Sequence, residues 1–541
     1  MENIAFRRHD IIGCAAAEED DAFLNSCFVD TGDLQSILEF SDPKRIVVGR
    51  TGAGKTALLT KASKSNYEVI EISPHALSLN FIANNSVINF FEAAGLNLAA
   101  YYTLLWKHLL VVELLKKRYQ ITNESDAKTV MTNLRDMITR DRSKEMAVDY
   151  LEKWGNKFWL TSEIRMKELT ERIEKELGAT IEGKSSFLDI SMQGAKKLTT
   201  EEKQEVVELG RKAVSGVQVR ELNNLIDILN DDVFINKQQR FLVTIDSLDE
   251  NWADDRVRYK LIKALIDAIR QFKKVGQVKI ILSMRVDLLV EVLQSTQDPG
   301  FQQEKYASLY LYVKWSRSQL EELIKQRLNQ LLKDRYTSRD VEISEIFNSK
   351  VNGKINPLDY IIDRSFMRPR DVIEFVNACI GSSENESKVT SNAIKHAEGE
   401  YSTGRLIALA SEWRGVYPNL KHVAEMLYGF PENFPLSDIT EAKLAELYEV
   451  AVDGIVDTSS DDTTRNLDKL YEEDGNFSSI RSRFIRQLYQ VGILGIRLGS
   501  SSATLWNYEA KTALQPTPLN LTGSTRISVH PMFHRVLGIR T

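Results

Sequence analysis

One stretch of sequence decides the fold: Ile46-Val47-Val48-Gly49-Arg50-Thr51-Gly52-Ala53-Gly54-Lys55-Thr56. From Gly49 to Thr56 it matches the G-x-x-x-x-G-K-[ST] phosphate-binding pattern at every position. A short apolar run of strand type precedes the pattern, and a helix-forming run follows it. Because a strand–loop–helix context separates a true P-loop from a chance match, the stretch predicts an α/β fold with a parallel-sheet P-loop NTPase core.

The residues of this loop suit a phosphate group. Glycines let backbone N–H groups converge on a phosphate, because no Cβ blocks the approach, and the following helix adds its positive dipole end. Lys55 is expected to reach the β- and γ-phosphates, and the Thr56 hydroxyl is expected to ligate Mg²⁺. The predicted nucleotide-binding residues are Gly49, Arg50, Thr51, Gly52, Ala53, Gly54, Lys55, Thr56 and Ala57.

Composition limits the class of protein. With 541 residues the chain is too long for one core, and roughly three domains are expected. The formal net charge of −6 gives no overall field that favours nucleic acid. The three cysteines lack disulfide or metal-site spacing, which suits a reducing cytoplasm. We expect no membrane association, because the most apolar stretch, residues 98–115, is short and interrupted by charges.

A second chemical element follows the apolar run Phe241-Leu242-Val243-Thr244-Ile245, which is typical of a central parallel strand buried on both faces. The run ends in Asp246-Ser247-Leu248-Asp249-Glu250. A P-loop enzyme needs one acid on the Mg²⁺ side and another to polarise the attacking water. Asp246 is the predicted Mg²⁺-side residue. Asp249 is slightly favoured as the base, with Glu250 as its rival.

Three arginines are candidates for stabilising charge on the γ-phosphoryl oxygens in the transition state. Arg285 ends a predicted strand, whereas Arg368 and Arg370 stand at a predicted helix start. They could act within one chain or from a neighbouring subunit. The alternative is ordinary ion pairing, with Asp371 or Glu374 as partners for Arg370.

The pattern of strands and helices divides the chain into four parts. Residues 1–40 form a lead-in, and residues 41–316 form the P-loop core. A long helical pattern with almost no proline, at about 98–232, predicts a large insertion in that core. Residues 317–434 read as a helical lid. Residues 435–541, with a helix followed by strand-like pieces, predict a winged-helix-like domain.

Two local clusters of charge stand out against the mildly acidic chain. The acidic run at 18–21 is expected to form the solvated first turn of a helix, with a place near the nucleotide base as the alternative. The segment 481–497 is locally basic, and a winged helix can place a helix in the DNA major groove, so DNA contact stays open. The arginines of this segment are Arg481, Arg483, Arg486 and Arg497.

These motifs together resemble a known group. The Asp246–Glu250 segment is similar to the Walker B element of STAND and related P-loop ATPases, within the wider AAA+-like group. Arg285 occupies the place of the sensor-1 strand, and Phe366–Asp371 resembles the sensor-2 arginine motif of the lid. Val529–Phe533 closes a unit that looks like a C-terminal winged helix. The chain as a whole resembles the bacterial single-chain P-loop ATPases that are common in phage-defence loci.

The resemblance implies a Mg²⁺-dependent ATPase that acts as a regulatory switch or motor in antiviral defence, as a homo-oligomer with a separate effector protein. A second reading is an ATP-controlled DNA-binding protein of initiator or loader type. A third is a scaffold that binds ATP and scarcely hydrolyses it, but the intact acidic pair argues against this. The chain has no guanine-reading Asn/Thr-Lys-x-Asp motif, which favours ATP over GTP.

Overall fold

A computed structural model of the chain falls into two compact units. The sheet unit comprises Gly32–Arg50 and Lys55–Val313, and the C-terminal unit comprises Met1–Thr31, Thr51–Gly54 and Lys314–Thr541. The P-loop is therefore divided, with its middle segment grouped with the C-terminal unit. The structure describes residues 4–77, 79–138, 145–181, 190–214, 217–250, 252–296, 304–347, 350–446, 477–497, 503–509, 521–522 and 525–541.

The sheet unit contains a five-stranded parallel sheet in the order β2-β3-β4-β1-β5. Its strands are β1 Ile46–Gly49, β2 Glu68–Ile72, β3 Phe241–Ile245, β4 Val278–Arg285 and β5 Tyr310–Tyr312. Every residue of β1 and β3 is buried, as expected for the apolar runs that encode them. The predicted parallel α/β core is confirmed.

The α-helices have the following bounds in chain order: α1 Asp21–Ser26, α2 Asp33–Leu38, α3 Lys55–Ser63, α4 Asn80–Ala83, α5 Ser86–Ala93, α6 Ala99–Tyr119, α7 Glu124–Ile138, α8 Glu145–Trp154, α9 Ser162–Ile181, α10 Met192–Lys197, α11 Thr200–Val214, α12 Val217–Ile228, α13 Asp255–Phe272, α14 Val286–Ser295, α15 Glu304–Ala307, α16 Arg317–Arg335, α17 Ile343–Ile346, α18 Pro357–Asp363, α19 Pro369–Gly381, α20 Ser391–Glu412, α21 Leu420–Glu425 and α22 Phe477–Val491. Shorter helical turns are Ala17–Glu19, His75–Leu77, Gly155–Lys157, Leu229–Val233, Leu436–Asp438, Asn507–Glu509 and Pro531–Phe533. None of the helices in the described ranges has the length and apolar character needed to cross a membrane.

Between β2 and β3 the described chain is helical, from α4 to α12. The longest of these helices, α6, buries the predicted packing residue Trp106 completely, and its Nε1 donates to the Leu261 carbonyl of α13 at 2.8 Å. A tryptophan with a satisfied N–H in a closed core is a packing residue. The insertion is thus joined to a helix that follows the acidic strand β3.

The C-terminal unit combines helices with a three-stranded antiparallel sheet in the order β6-β8-β7. These strands are β6 Asn433–Pro435, β7 Leu494–Arg497 and β8 Arg526–Val529. The predicted strand-like piece at Leu505 is an isolated bridge to Ile496. The serines at 500–502, which the predicted winged helix would place at the tip of its β-hairpin wing, lie outside the described residues.

The N-terminal segment belongs to the core of this unit, where Phe6 and Ile12 are fully buried. Asp20, from the acidic run expected to be solvated, is also buried, and its Oδ2 accepts from Arg327 Nη2 of α16 at 2.5 Å. Its neighbour Glu19 is exposed as expected. The expectation was wrong for Asp20 because the buried guanidinium of Arg327 needs a counter-ion, and the Asp20 carboxylate supplies it.

Candidate functional site

The P-loop leaves β1 at Gly49 and enters α3 at Lys55. Gly52 has φ +75° and Gly54 has φ +92°, both in the left-handed region that residues with a Cβ rarely adopt. A Cβ on Gly52 would also lie 2.6 Å from Cβ of Arg370. The two glycines are therefore required by the backbone path, and at Gly52 by close packing as well.

The carboxyl ends of three strands meet at one edge of the sheet. The register places Gly49 opposite Arg285, and Ile245 opposite Leu282, so β4 lies between the P-loop strand and the acidic strand. In open parallel sheets, ligands bind at the carboxyl ends of the strands. This edge brings together Gly49 at the end of β1, the acids after β3 and the arginine that ends β4.

The charged side chains at this edge of the sheet act on the ammonium group of Lys55. Burial lowers the pKa of its ammonium group, whereas the carboxylates of Asp246 and Asp249 act to raise it, and the charge of Arg285 adds to the lowering. The Nζ atom donates to the Arg50 carbonyl at 3.2 Å. A half-buried ammonium within electrostatic range of two carboxylates and a guanidinium marks this strand edge as the candidate site.

The acidic strand end has a distorted backbone. Asp246 is half-buried, and its Oδ1 accepts from the backbone N–H of Ser247 at 2.9 Å. Ser247 adopts φ +61°, which is unfavourable for a residue with a Cβ and typical of functional turns. After this turn Asp249 and Glu250 are exposed. The structure therefore brings Asp246 and Asp249 within electrostatic range of Lys55, and the choice between Asp249 and Glu250 as base stays a prediction.

Arg285 bridges two carboxylates. Its Nε and Nη2 atoms donate to Asp287 at 3.1 and 2.6 Å, and its Nη1 lies 3.4 Å from Oδ2 of Asp249. The guanidinium is mostly buried, with 17% of the side chain exposed. Arg285 thus lies between the acidic strand end and the start of α14. Its predicted role toward phosphate remains open beside the ion-pairing alternative.

Arg368 is buried and fully engaged in the C-terminal unit. Its Nε and Nη2 atoms bind both oxygens of Asp371, at 2.8 and 3.0 Å, and its Nη1 donates to the Thr51 carbonyl at 2.7 Å. Burial acts to lower the pKa of Arg368, but Asp371 and Glu412 raise it above the ordinary value. The described contacts of this guanidinium therefore hold the P-loop backbone, and its predicted catalytic role remains a prediction.

Arg370 meets the P-loop by its backbone. Its N–H donates to the Gly52 carbonyl and its Nε donates to the Ala15 carbonyl, both at 3.3 Å. Of the acids proposed as its ion-pair partners, Asp371 binds Arg368 and Arg405. Glu374 binds Arg405, and the charge of Arg370 also acts on its carboxylate. These hydrogen bonds do not test the catalytic role predicted for Arg370.

The P-loop has a further contact that the sequence did not reveal. The indole Nε1 of Trp315, which follows β5, donates to the Ala53 carbonyl at 2.9 Å. The motif contains no signal for it, because Trp315 lies 262 residues further along the chain. Its place after a strand of the parallel sheet was the one available hint.

One buried atom suggests that the loop fits a further polar group. Thr51 Oγ1 is buried, and it has no hydrogen-bond partner within the described part of the chain. Such orphaned hydroxyls are uncommon in folded proteins and call for an explanation, of which an additional bound group is one. Together with the positive-φ glycines and Lys55, this donor set suits a phosphate.

The basic segment near the C-terminus is only partly exposed. On α22 Arg483 and Arg486 are exposed, whereas Arg481 is half-buried with its guanidinium 5.0 Å from the Phe477 ring centre. Arg497 ends β7, and its Nε donates to Thr504 Oγ1 at 3.0 Å. Of the four arginines, Arg483 and Arg486 are therefore the two that are exposed.

Comparisons with known proteins place part of the chain. Residues 318–410 match the family described as the FunZ-associated C-terminal helical domain. Over 542 residues the chain is 20% identical to a protein of Escherichia coli that is named as an 80.3 kDa protein of transposon gamma-delta, a match that covers 96% of this chain and 66% of the relative. The ORC2 protein of Aeropyrum pernix, solved in ADPNP–ADP complexes, aligns over 94% of this chain and 88% of its own at 9% identity. Its TM-score of 0.25 is too low to bear on the fold.

We expect Gly52→Ala to destabilise the protein more than Gly32→Ala does. Gly32 has φ +85° with no atom within 4 Å of a Cβ, so its substitution carries only backbone strain, about 1–2 kcal/mol. Gly52→Ala adds the displacement of Arg370, which costs about 1–3 kcal/mol more. Thermal unfolding of both variants checks this; equal losses of Tm would show that Arg370 yields freely.

Proposed function

We propose that the protein is a Mg²⁺-dependent ATPase that works as a regulatory switch. One observation carries the proposal: Asp246, Asp249 and Arg285 lie within electrostatic range of the half-buried Lys55, at the sheet edge where a complete P-loop begins. A phosphate-binding loop, an acidic strand end and a cation at one edge are the parts that phosphoryl transfer requires.

The residues of this edge have distinct roles in the proposed reaction. The backbone N–H groups of Gly49 to Ala57 bind the phosphates, and Lys55 holds the β- and γ-phosphates in place. The Thr56 hydroxyl and the Asp246 carboxylate would hold Mg²⁺, which supplies neutralisation of phosphate charge when bound. Asp249, or its neighbour Glu250, orients the attacking water and accepts its proton.

The arginines complete the proposed site. The Arg285 guanidinium already lies near Asp249, so it can stabilise the negative charge that develops on the phosphoryl group. Arg368 and Arg370 are proposed to stabilise the same charge, from within the chain or from a neighbouring subunit. For Arg368 this role requires that its guanidinium exchange at least one of its present partners, the Thr51 carbonyl or Asp371.

The remaining parts are proposed to transmit the state of this site. We infer that residues 317–434 form a lid, and the match of 318–410 to a helical domain family supports this. The antiparallel sheet with α22 supports a winged-helix-like domain in residues 435–541. The resemblance to phage-defence ATPases supports a cytoplasmic homo-oligomer that acts in antiviral defence with a separate effector protein.

The decisive experiment measures phosphate release from ATP with and without Mg²⁺, together with mass by light scattering. Wild type is expected to hydrolyse ATP only with Mg²⁺ and to assemble when ATP is present. Asp249→Asn is expected to lose about 10²–10⁴-fold in turnover and to keep ATP-dependent assembly, since it removes a general base. Glu250→Gln is the matched control. If it loses turnover while Asp249→Asn does not, the base is Glu250; if wild type is inactive, the proposal fails.

A second prediction concerns the guanidinium of Arg370. Arg370→Ala keeps the Cβ that packs on Gly52 and the backbone N–H that binds its carbonyl, so it removes the charge and leaves the loop contact. We expect turnover to be lost while nucleotide affinity stays near that of wild type, as measured by titration with a fluorescent nucleotide. Unchanged turnover would remove Arg370 from the catalytic site.

The alternative function is ATP-controlled DNA binding of initiator or loader type. The observation that favours it is the exposure of Arg483 and Arg486 on α22, whose neighbours Phe484, Ile485 and Leu488 are buried. This helix therefore packs by its apolar face and presents a basic face.

If DNA binds there, affinity will fall steeply with salt, and the double substitution Arg483→Gln/Arg486→Gln will reduce the slope of log K against log salt by about 2, since each lost phosphate contact changes it by about 0.9. Fluorescence anisotropy with duplex DNA measures this. Lys395→Gln/Lys421→Gln, which removes two exposed charges elsewhere in the same unit, is the control. Equal effects of the two pairs would assign any binding to overall charge.

A further inference from the structure

Three successive carbonyl groups of the P-loop accept hydrogen bonds from residues of the same compact unit that lie far along the chain. Thr51 O accepts from Arg368 Nη1 at 2.7 Å, and Gly52 O accepts from the backbone N–H of Arg370 at 3.3 Å. Ala53 O accepts from Trp315 Nε1 at 2.9 Å. The guanidinium of Arg368, the backbone amide of Arg370 and the indole of Trp315 thus bind a row of three consecutive carbonyl groups.

The geometry of the peptide bond gives this row a consequence. A trans peptide is planar, so its carbonyl and the N–H of the next residue point in opposite directions. Fixing the Ala53 carbonyl therefore fixes the N–H of Gly54, and fixing the Thr51 carbonyl fixes the N–H of Gly52. These N–H groups belong to the set that a P-loop turns toward phosphate. Because glycine is conformationally free, the peptides of Gly52 and Gly54 depend on such external bonds for their orientation.

Trp315 is itself held firmly. It immediately precedes Ser316, which begins α16 with a complete capping box to Gln319. The indole is half-buried against the core of the C-terminal unit. Its Cζ2 would lie 3.8 Å from a Cβ on Gly54, so the ring also limits the space beside that glycine. The donor is therefore fixed independently of the loop.

We propose that Trp315 is a positioning residue for nucleotide binding: its indole N–H holds the Ala53–Gly54 peptide in the orientation that binds phosphate. The proposal rests on the function proposed above and adds a regulatory consequence. Nucleotide affinity then depends on a residue outside the motif, because Trp315 supplies the donor that orders the Ala53–Gly54 peptide. Trp315 does not touch the reacting atoms in this scheme and acts only through the loop backbone.

The Arg368 contact works in the same way but is less suitable for a test. Asp371 and Glu412 both pair with that guanidinium, and Asp371 also binds Arg405, so its substitution would disturb a buried network of charges as well as the loop. Trp315 donates one hydrogen bond to one carbonyl through its indole N–H. Its removal isolates the effect on the loop.

The test compares Trp315→Phe with Trp413→Phe. Trp413 lies in the same unit, and its buried Nε1 has no hydrogen-bond partner in the described ranges, so the control loses ring volume but no such bond. We expect Trp315→Phe to raise the Kd for fluorescent ADP and ATP by about three- to tenfold, which is the effect of losing one ordinary hydrogen bond. Trp413→Phe is expected to leave the Kd unchanged.

Two further measurements separate positioning from general loss of structure. In Trp315→Phe the Tm without nucleotide should fall no more than in Trp413→Phe, whereas the rise in Tm on adding nucleotide should shrink only in Trp315→Phe. In steady state, KM for ATP should rise while kcat stays near that of wild type. Site-specific incorporation of 3-benzothienylalanine at position 315, which replaces the N–H by sulfur and keeps the ring size, should weaken binding like Trp315→Phe.

The outcomes distinguish the two proposals. If wild type binds neither ADP nor ATP, the proposed function fails, and this inference fails with it. If wild type binds nucleotide and both changes at position 315 leave the Kd unchanged, the proposed function stands and only the role of Trp315 is overturned. A fall in kcat with unchanged KM would also overturn it, since positioning of the binding loop acts on affinity.

Discussion

The charge of one half-buried ammonium group, on Lys55, is matched by the charged groups at the sheet edge. Taking a charge even partly out of water is unfavourable unless opposite charges stand close to it. Asp246 and Asp249 provide them, and both follow β3, which β4 separates from the strand of the P-loop. Between these two acids Ser247 adopts φ +61°, so the chain reaches Asp249 through a strained turn. Sheet order and the acids after β3 thus place opposite charges near one half-buried cation.

The C-terminal unit holds its buried charges in a network of ion pairs. Arg368, Asp371, Arg405 and Glu412 are joined by ion pairs in which Asp371 is wholly buried and binds two arginines. Burial acts to raise the pKa of Asp371, but the two guanidinium groups hold it below its ordinary value. Networks of this kind add little net stability but fix geometry, since each member has one arrangement that satisfies the others. The fixed geometry delivers one N–H of Arg368 to the P-loop backbone.

The parts of the molecule that could be predicted from sequence are those whose determinants are local. The apolar run before Gly49, the helix from Lys55 and the buried strand ending at Ile245 are each encoded in a few consecutive residues, so the parallel core could be predicted. The partners of Asp20 and of the Ala53 carbonyl could not. Arg327 is 307 residues from Asp20, and Trp315 is 262 residues from Ala53. Pairings across such distances depend on the packing of whole elements, which no local pattern records.

The P-loop is divided between two compact units, so its conformation depends on more than the residues of the motif. A fragment that ended before Trp315 would keep every letter of the phosphate-binding pattern, with its strand and its helix. It would nevertheless lose all three donors to the carbonyls of Thr51, Gly52 and Ala53, which water would then replace. The fragment would still match the motif, but the peptide planes of the loop would be free to rotate. In this chain the sequence motif that can be recognised is therefore shorter than the set of residues that must fold together to fix its backbone conformation.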